Sequence, residues 1–142
     1  MKISIGADHA GYELKEKLKQ RLVQEGVQID DEGTLSNESV DYPDFIRPAA
    51  IAVAEGECER GVVFGGSGNG EAIAANRVKR VRCILAWSEE SARLGRAHND
   101  ANMLSIGQRL LSEDLVRSIV QIWMTTPFEG GRHIARLQKL DR

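Results

Sequence analysis

The chain lacks several features that would assign it at once to a class of protein. It has two cysteines in 142 residues, too few to suggest a disulfide framework or a cysteine metal cluster. Its longest apolar run is six residues, 49–54, whereas a membrane helix needs roughly 20. The first residues resemble a strand and contain no apolar signal core. We therefore expect a cytoplasmic protein that does not act at a membrane.

Strong charge bias and abundant aromatic residues are missing as well. Nineteen basic residues against 21 acidic ones give a net charge of −2, which argues against a nucleic-acid partner held by bulk electrostatics. Any anion site must then be local. The two cysteines (Cys58 and Cys83) and the tryptophan and methionine positions (Trp87 and Trp123 among them) are interpreted as structural, core-forming residues. At this length, residues 1–142 fit one domain.

Short apolar segments alternate with helical patterns along the whole chain. The apolar segments predict five strands, over residues 2–6, 27–30, 61–64, 81–86 and 103–106. Such alternation favours an α/β fold with a parallel sheet covered by helices on both faces. The second helix should begin near Pro43, with Pro48 kinking it or delaying its start. The order of the strands does not follow from the sequence.

A glycine-rich turn joins the third predicted strand to a helix. In order, the turn reads Gly65-Gly66-Ser67-Gly68-Asn69-Gly70-Glu71. Glycines let the backbone approach a ligand closely, and a helix start offers unpaired N–H groups. The dinucleotide pattern, however, requires glycine where Glu71 stands, and the phosphate-loop pattern requires lysine there. Because a carboxylate repels phosphates, we predict that residues 65–70, the glycine loop, hold a carbonyl oxygen while Glu71 acts as a base. The alternative is an ordinary glutamate stabilising its helix start.

Further candidates lie where parallel strands end. Ligands of such sheets bind beyond the carboxyl ends of the strands, which places Asp8 and His9 near the glycine loop. An alternative role for Asp8 is to cap the helix that follows. Arg109, beyond the last strand, is a candidate phosphate ligand.

A second group of candidates lies near helix ends. His98 and Asn99 should follow a helix that ends near residue 97, where His98 either serves a site or stabilises the helix. Asn99 either orients a hydroxyl or adopts a left-handed cap. Arg132 and Arg136 stand one helical turn apart, which is typical of a phosphate site or of a solvated terminal helix.

Six short motifs follow one another through nearly the whole chain. They are Gly6-Ala7-Asp8-His9-Ala10-Gly11, Asp41-Tyr42-Pro43, the glycine loop, Ala74-Ala75-Asn76-Arg77, His98-Asn99 and Glu129-Gly130-Gly131-Arg132-His133. Together they resemble the B-type ribose-5-phosphate isomerases, a family that also includes galactose-6-phosphate and allose-6-phosphate isomerases. The resemblance implies a three-layer α/β/α Rossmann-like fold with a five-stranded parallel sheet. It also implies an aldose–ketose isomerisation through a cis-enediolate, with no metal and no cofactor.

The resemblance further assigns roles to individual residues. Glu71 would move a proton between C2 and C1, and His98 would assist opening of the furanose ring. Asp8 and Tyr42 would contact sugar oxygens, and Ser67 would hold the enediolate with the loop amides. Those amides, and the remaining substrate contacts, would come from Gly66, Gly68, Asn69, Gly70 and Asn99.

Two more implications concern the phosphate and the base. The phosphate would be bound by His9, Arg109, Arg132 and Arg136, in homodimers whose sites combine residues of both subunits. In another branch of the family a cysteine at the place of Gly65 is the base. Here the resemblance is to the branch with a glutamate after the glycine loop.

Three functions remain open from the sequence. Ribose 5-phosphate isomerisation is the leading hypothesis. A hexose-6-phosphate isomerase of the same family shares the chemistry and differs by one carbon in the length of its substrate. A non-catalytic module that binds sugar phosphates or nucleotides is the hypothesis from a different class, although Glu71 argues against a nucleotide.

Overall fold

The computed structural model describes residues 1–141, which form five strands and six helices. In chain order these are β1 (Lys2–Ala7), α1 (Tyr12–Gln24), β2 (Gln28–Asp31), α2 (Pro43–Ala54), β3 (Arg60–Gly65), α3 (Asn69–Asn76), β4 (Cys83–Leu85), α4 (Glu89–Asn99), β5 (Met103–Gly107), α5 (Glu113–Thr125) and α6 (Arg132–Gln138). All strand pairs are parallel, in the order β2-β1-β3-β5-β4. Strands β1, β3 and β5 are therefore neighbours at the centre of the sheet.

The sheet is covered on both faces, which confirms the predicted three-layer α/β/α architecture. Alternate strand residues contribute to two apolar clusters because strand side chains alternate between the faces. Helices α1, α4 and α5 pack on one face, around the fully buried Trp123. Helices α2 and α3 pack on the other, against Val63 and Met103. None of the helices within residues 1–141 has both the length and the apolar character needed to cross a membrane.

Two buried serines tie loops and helices to the second face of the sheet. Ser4 Oγ donates to the carbonyl of Ala49 over 2.8 Å, and Ser105 Oγ donates to the carbonyl of Gly68 over 2.7 Å. The second bond anchors the glycine loop to the central strand β5. Buried polar groups of this kind are costly unless they are paired, so the two bonds help to specify the packing.

Helix α2 begins at Pro43, as predicted, and continues through Pro48 without a delayed start; the missing N–H of Pro48 leaves the carbonyl of the exposed Asp44 without its helical partner. Two other predicted boundaries were wrong by a few residues. Strand β4 covers 83–85 rather than 81–86. Helix α4 extends to Asn99, so its left-handed cap is Asp100, with φ of 45°, and not Asn99. His98 and Asn99 thus belong to the last helical turn.

The interpretation of all tryptophans and methionines as core residues was also wrong. Trp123 and Met103 are fully buried, whereas Trp87 is 68% exposed where the chain leaves β4 and Met1 is 48% exposed. Both cysteines are buried thiols, as expected of structural residues. Burial raises the pKa of Cys58 to about 11 and the pKa of Cys83 further still, so neither thiol ionises readily.

Candidate active site

The glycine loop connects the carboxyl end of β3 to α3 in a left-handed turn. Gly68 precedes the helix with φ of 82°, a backbone conformation that residues other than glycine rarely adopt. A Cβ atom at Gly68 would also lie 2.7 Å from Cδ1 of Leu85. The turn therefore places Glu71 in the first turn of α3, with the loop amides at the positive end of the helix dipole.

The carboxylate of Glu71 turns back over the end of β3. The residue is 4% exposed, and a Cβ atom added to Gly65 would overlap its Oε1. Glycine at position 65 thus creates the space that the carboxylate occupies. Within residues 1–141 no lysine, arginine or histidine forms an ion pair with Glu71.

The surroundings of Glu71 raise its pKa above the ordinary value of 4.5. Burial is the largest cause, and the charge of Asp8 and its hydrogen bond to Glu71 act in the same direction. The backbone N–H of Glu71 itself opposes them. A carboxylate that is more basic than usual and lies beside a cradle of amides is suited to removing a proton next to a carbonyl group.

Asp8 lies beside the glycine loop but does not cap α1, whose N-cap is Gly11 without a side-chain cap hydrogen bond. Oδ1 of Asp8 accepts a hydrogen bond of 3.0 Å from the N–H of Gly11, which shapes the turn before α1. Its own N–H donates to the carbonyl of Phe64 over 3.3 Å, at the carboxyl end of β3. Asp8 is thereby held beside the glycine loop and faces Glu71.

Two other predicted residues pack directly on glycines of the loop. A Cβ atom on Gly70 would lie 2.7 Å from Cζ and 3.0 Å from Oη of Tyr42. A Cβ atom on Gly66 would lie 3.0 Å from Nη1 of Arg109. The backbone N–H of Arg109 also donates to the carbonyl of Gly66 over 3.0 Å. The loop therefore brings a phenol and a guanidinium group within reach of the space above it.

The remaining predicted residues of this edge have local hydrogen bonds. Ser67 is half-buried, and its Oγ accepts from the N–H of the exposed Asn69 over 3.2 Å. His9 Nδ1 accepts from the N–H of Val40 over 3.2 Å, which leaves Nε2 to carry the proton of the neutral ring. Asp8, His9, the glycine loop and Arg109 follow the carboxyl ends of β1, β3 or β5, the three central strands, whereas Tyr42 follows β2 and is the N-cap of α2.

The other predicted residues lie near the amino ends of the strands, at the opposite end of the sheet from the glycine loop. Helix α4 starts after β4 and its 11 residues run back for about 16 Å, so that His98 and Asn99 lie near the amino ends of the strands. Arg82, just before β4, donates from Nε to the carbonyl of Asn99 over 2.9 Å. Helix α6, which carries the exposed Arg132 and Arg136, packs near α4. Within one chain, His98, Asn99, Arg132 and Arg136 therefore do not lie near Glu71.

His98 belongs to a cluster that the sequence did not predict. Its ring stacks on that of His133, with centroids 4.4 Å apart and an interplanar angle of 17°. Oε2 of Glu129 lies 3.6 Å from Nε2 of His98 and 3.7 Å from Nε2 of His133. Burial, followed by the charge of Arg132, lowers the pKa of His133. Glu129 and His133 stand in one of the motifs quoted above, but no local spacing connects them to His98.

The stacking of the His98 and His133 rings argues against metal binding by this cluster. The candidate ligand atoms of His98, Glu129 and His133 lie within 4.8 Å of one another. However, an imidazole nitrogen binds an ion in the plane of its ring, and the two rings lie in separate, nearly parallel planes. One ion cannot lie in both planes. The arrangement favours stacking and charge pairing.

Comparisons with known proteins agree over nearly the whole chain. The family model described as ribose/galactose isomerase matches residues 3–140. The chain is 40% identical over 139 residues to ribose-5-phosphate isomerase B of Escherichia coli, covering 98% of this chain and 93% of that protein. The structure resembles ribose-5-phosphate isomerase B of Clostridium thermocellum with a TM-score of 0.98 and 47% identity, over 99% of this chain and 95% of that one. The Mycoplasma genitalium enzyme with bound ribulose 5-phosphate gives a TM-score of 0.94 at 34% identity, over 99% and 94% of the two chains.

Proposed function

The chain belongs to the ribose/galactose isomerase family, and we propose that it interconverts ribose 5-phosphate and ribulose 5-phosphate. The observation that carries the proposal is the buried Glu71 carboxylate, which lacks a cationic partner within residues 1–141 and lies against the glycine loop. Relatives of 40% and 46% identity over nearly the whole chain carry the name ribose-5-phosphate isomerase B. This supports the pentose phosphate as substrate.

The reaction needs a base, a site that stabilises an oxyanion, and return of the abstracted proton to the neighbouring carbon. Glu71 removes the proton from C2 of the open-chain aldose, and the electrons of the C2–H bond form the C1–C2 double bond. O1 takes up the negative charge, which Ser67 and the amides of the glycine loop stabilise. The O2 proton then passes to O1, the electrons of the O2–H bond form the C2=O2 double bond, and the electrons of the C1–C2 double bond take the proton back from Glu71 at C1, which gives the ketose and the free carboxylate. Asp8 and Tyr42, which flank the loop, contact the sugar oxygens.

The same proposal includes a homodimer with composite sites. Arg109 and His9 lie at the edge with Glu71, whereas His98, Arg132 and Arg136 lie at the opposite edge of the sheet. A two-fold axis that brings the second edge of one subunit to the first edge of its partner would complete two equivalent sites. The partner would then supply His98 for ring opening and two arginines for the phosphate.

Subunit complementation tests the composite site. One chain carries Glu71→Gln and a differently tagged chain carries His98→Asn with Arg132→Ala. In the purified heterodimer one site combines all the defects and the other has none. We therefore expect about half of the wild-type activity per dimer, although each parent homodimer is inactive. A heterodimer as inactive as its parents would place each complete site within one chain and would contradict the proposal.

Substrate preference tests the proposed reaction. We expect kcat/KM for ribose 5-phosphate to exceed that for allose 6-phosphate and galactose 6-phosphate, because the distance from Glu71 to the phosphate ligands has to match one chain length. A coupled assay of all three sugars provides the comparison. A higher value for a hexose phosphate would make the protein a hexose-6-phosphate isomerase. Binding without ketose formation and without solvent deuterium at C2 would make it a non-catalytic module.

A further inference from the structure

We propose that Glu129 and His133 are positioning residues that hold His98 for opening of the furanose ring. The proposal rests on the proposed function, in which His98 assists ring opening. Neither residue needs to contact the substrate. Both act through the imidazole of His98, which stacks on His133 and faces the carboxylate of Glu129.

The backbone ties Glu129 to the helix that carries His98. The N–H of Glu129 donates to the carbonyl of Ala97 over 3.0 Å, next to His98 in the last turn of α4. Gly130 and Gly131 follow with φ of 69° and 59°, conformations that glycine adopts without the cost other residues incur. This reversal returns the chain so that α6 begins beside α4, with His133 in its first turn. The Glu-Gly-Gly-Arg-His motif thereby brings Glu129 and His133 to His98.

His133 forms a fixed surface behind the ring of His98. It is 6% exposed, while the side chain of His98 is 35% exposed. Nε2 of His133 is buried and has no hydrogen-bond partner within residues 1–141, and its nearest carboxylate oxygen is Oε2 of Glu129, 3.7 Å away. A stacked ring at 4.4 Å restricts how the more exposed His98 can turn. Burial and Arg132 disfavour the charged form of His133 and lower its pKa, so this ring serves as a neutral stacking surface.

Glu129 restrains the ring of His98 for the ring-opening step. In that step the imidazolium of His98 gives its proton to the ring oxygen O4 as the C1–O4 bond breaks. The electrons of the O1–H bond form the C1=O1 double bond, and the O1 proton passes to water. The carboxylate of Glu129 lies 3.6 Å from Nε2 of His98 and restrains the orientation of the ring, so that the donor is held in position for this transfer.

Ring opening can be measured without isomerisation. The α and β furanose forms of ribose 5-phosphate exchange through the open chain, so magnetisation transfer between their ¹³C-labelled C1 atoms reports the opening rate. Glu71→Gln protein should accelerate this exchange over buffer, since it keeps His98 but lacks the base. Adding Glu129→Gln or His133→Leu should reduce the acceleration by about tenfold or more, because a misplaced acid loses part of its roughly 10²- to 10⁴-fold contribution.

Two control variants separate positioning from general damage. His133→Phe keeps a flat ring in the stack and should retain most of the acceleration. Glu113→Gln removes an exposed carboxylate that pairs with Lys17 on the other side of α5 from the proposed site and should change nothing. An ion pair as exposed as that of Glu129 adds little to stability, so Glu129→Gln should unfold at nearly the wild-type temperature.

A second readout uses the intact base. Ribulose 5-phosphate has no free C5 hydroxyl and stays open, so at saturating substrate Glu129→Gln should lower kcat from ribose 5-phosphate more than kcat from ribulose 5-phosphate. Equal losses in both directions, or unchanged anomer exchange in Glu129→Gln and His133→Leu, would overturn the proposal. Exchange that Glu71→Gln fails to accelerate, in a protein that does isomerise, would overturn it too. Absence of isomerisation in the wild type would instead contradict the proposed function.

Discussion

Replacing Glu71 with glutamine should lower kcat for ribose 5-phosphate by about 10²- to 10⁴-fold while leaving substrate binding largely intact. The amide keeps the size and shape of the side chain but cannot accept the C2 proton, and general-base catalysis contributes about this much to such reactions. Steady-state kinetics and calorimetric binding of ribose 5-phosphate measure the two effects separately. Incorporation of solvent deuterium at C2 should disappear with turnover. Near-normal turnover would show that another residue is the base.

Thermal unfolding of the same variant provides its control. Burial and Asp8 raise the pKa of Glu71 above 4.5 in the folded chain, so the stability contributed by this group is fully present below about pH 4.5. It is lost as the pH rises through the higher folded pKa. Glutamine carries no charge to bury, so Glu71→Gln should unfold at a higher temperature than the wild type at pH 7, with a smaller difference at pH 4. Such a protein is inactive because of its chemistry, not because of its fold.

Replacing Gly65 with alanine should be almost as damaging as removing the carboxylate. A Cβ atom at this position would overlap Oε1 of Glu71, so the carboxylate has to leave the site although the base itself is retained. Gly65 does not have a positive φ, so alanine fits the backbone of β3. We expect kcat to fall by about 10²-fold or more, because small displacements of a catalytic group have effects of this size.

A double-mutant cycle shows whether Gly65 acts through Glu71. Adding Gly65→Ala to Glu71→Gln should cause little further loss, because the displaced group is already inactive. Independent, multiplying losses would contradict a shared mechanism. The combination Gly65→Cys with Glu71→Ala should regain part of the activity, now sensitive to thiol alkylation. Its Cβ would occupy the space that the carboxylate leaves.

This overlap offers a physical reason for the two branches that the family resemblance implies. The side chain at position 65 and the carboxylate at position 71 compete for one volume beside the glycine loop. A cysteine at the first position and a glutamate at the second therefore exclude one another. Under the proposed function, either side chain would present its acidic group to the same substrate carbon.

The sequence predicted the features that depend on short-range patterns. Alternating apolar segments indicated five parallel strands between helices, and the structure has them. A serine directly before a helix is a local N-cap pattern, and Ser88 and Ser112 each accept a hydrogen bond from the first turn that follows. The same local reasoning identified the glycine loop and the unusual carboxylate of Glu71, because a residue type at a helix start has the same meaning wherever the strand lies.

The tertiary structure decided which of these features meet. Only the strand order β2-β1-β3-β5-β4 brings Asp8, the glycine loop and Arg109 to adjacent positions, and strand order depends on long-range packing that no local pattern records. The direction of α4 carries His98 to the far edge, where Glu129 and His133 surround it. The exposure of Trp87 follows from its place beyond the end of β4. Residue types and local patterns thus determined the chemistry and the layers, while packing over long sequence distances decided the neighbours of each group.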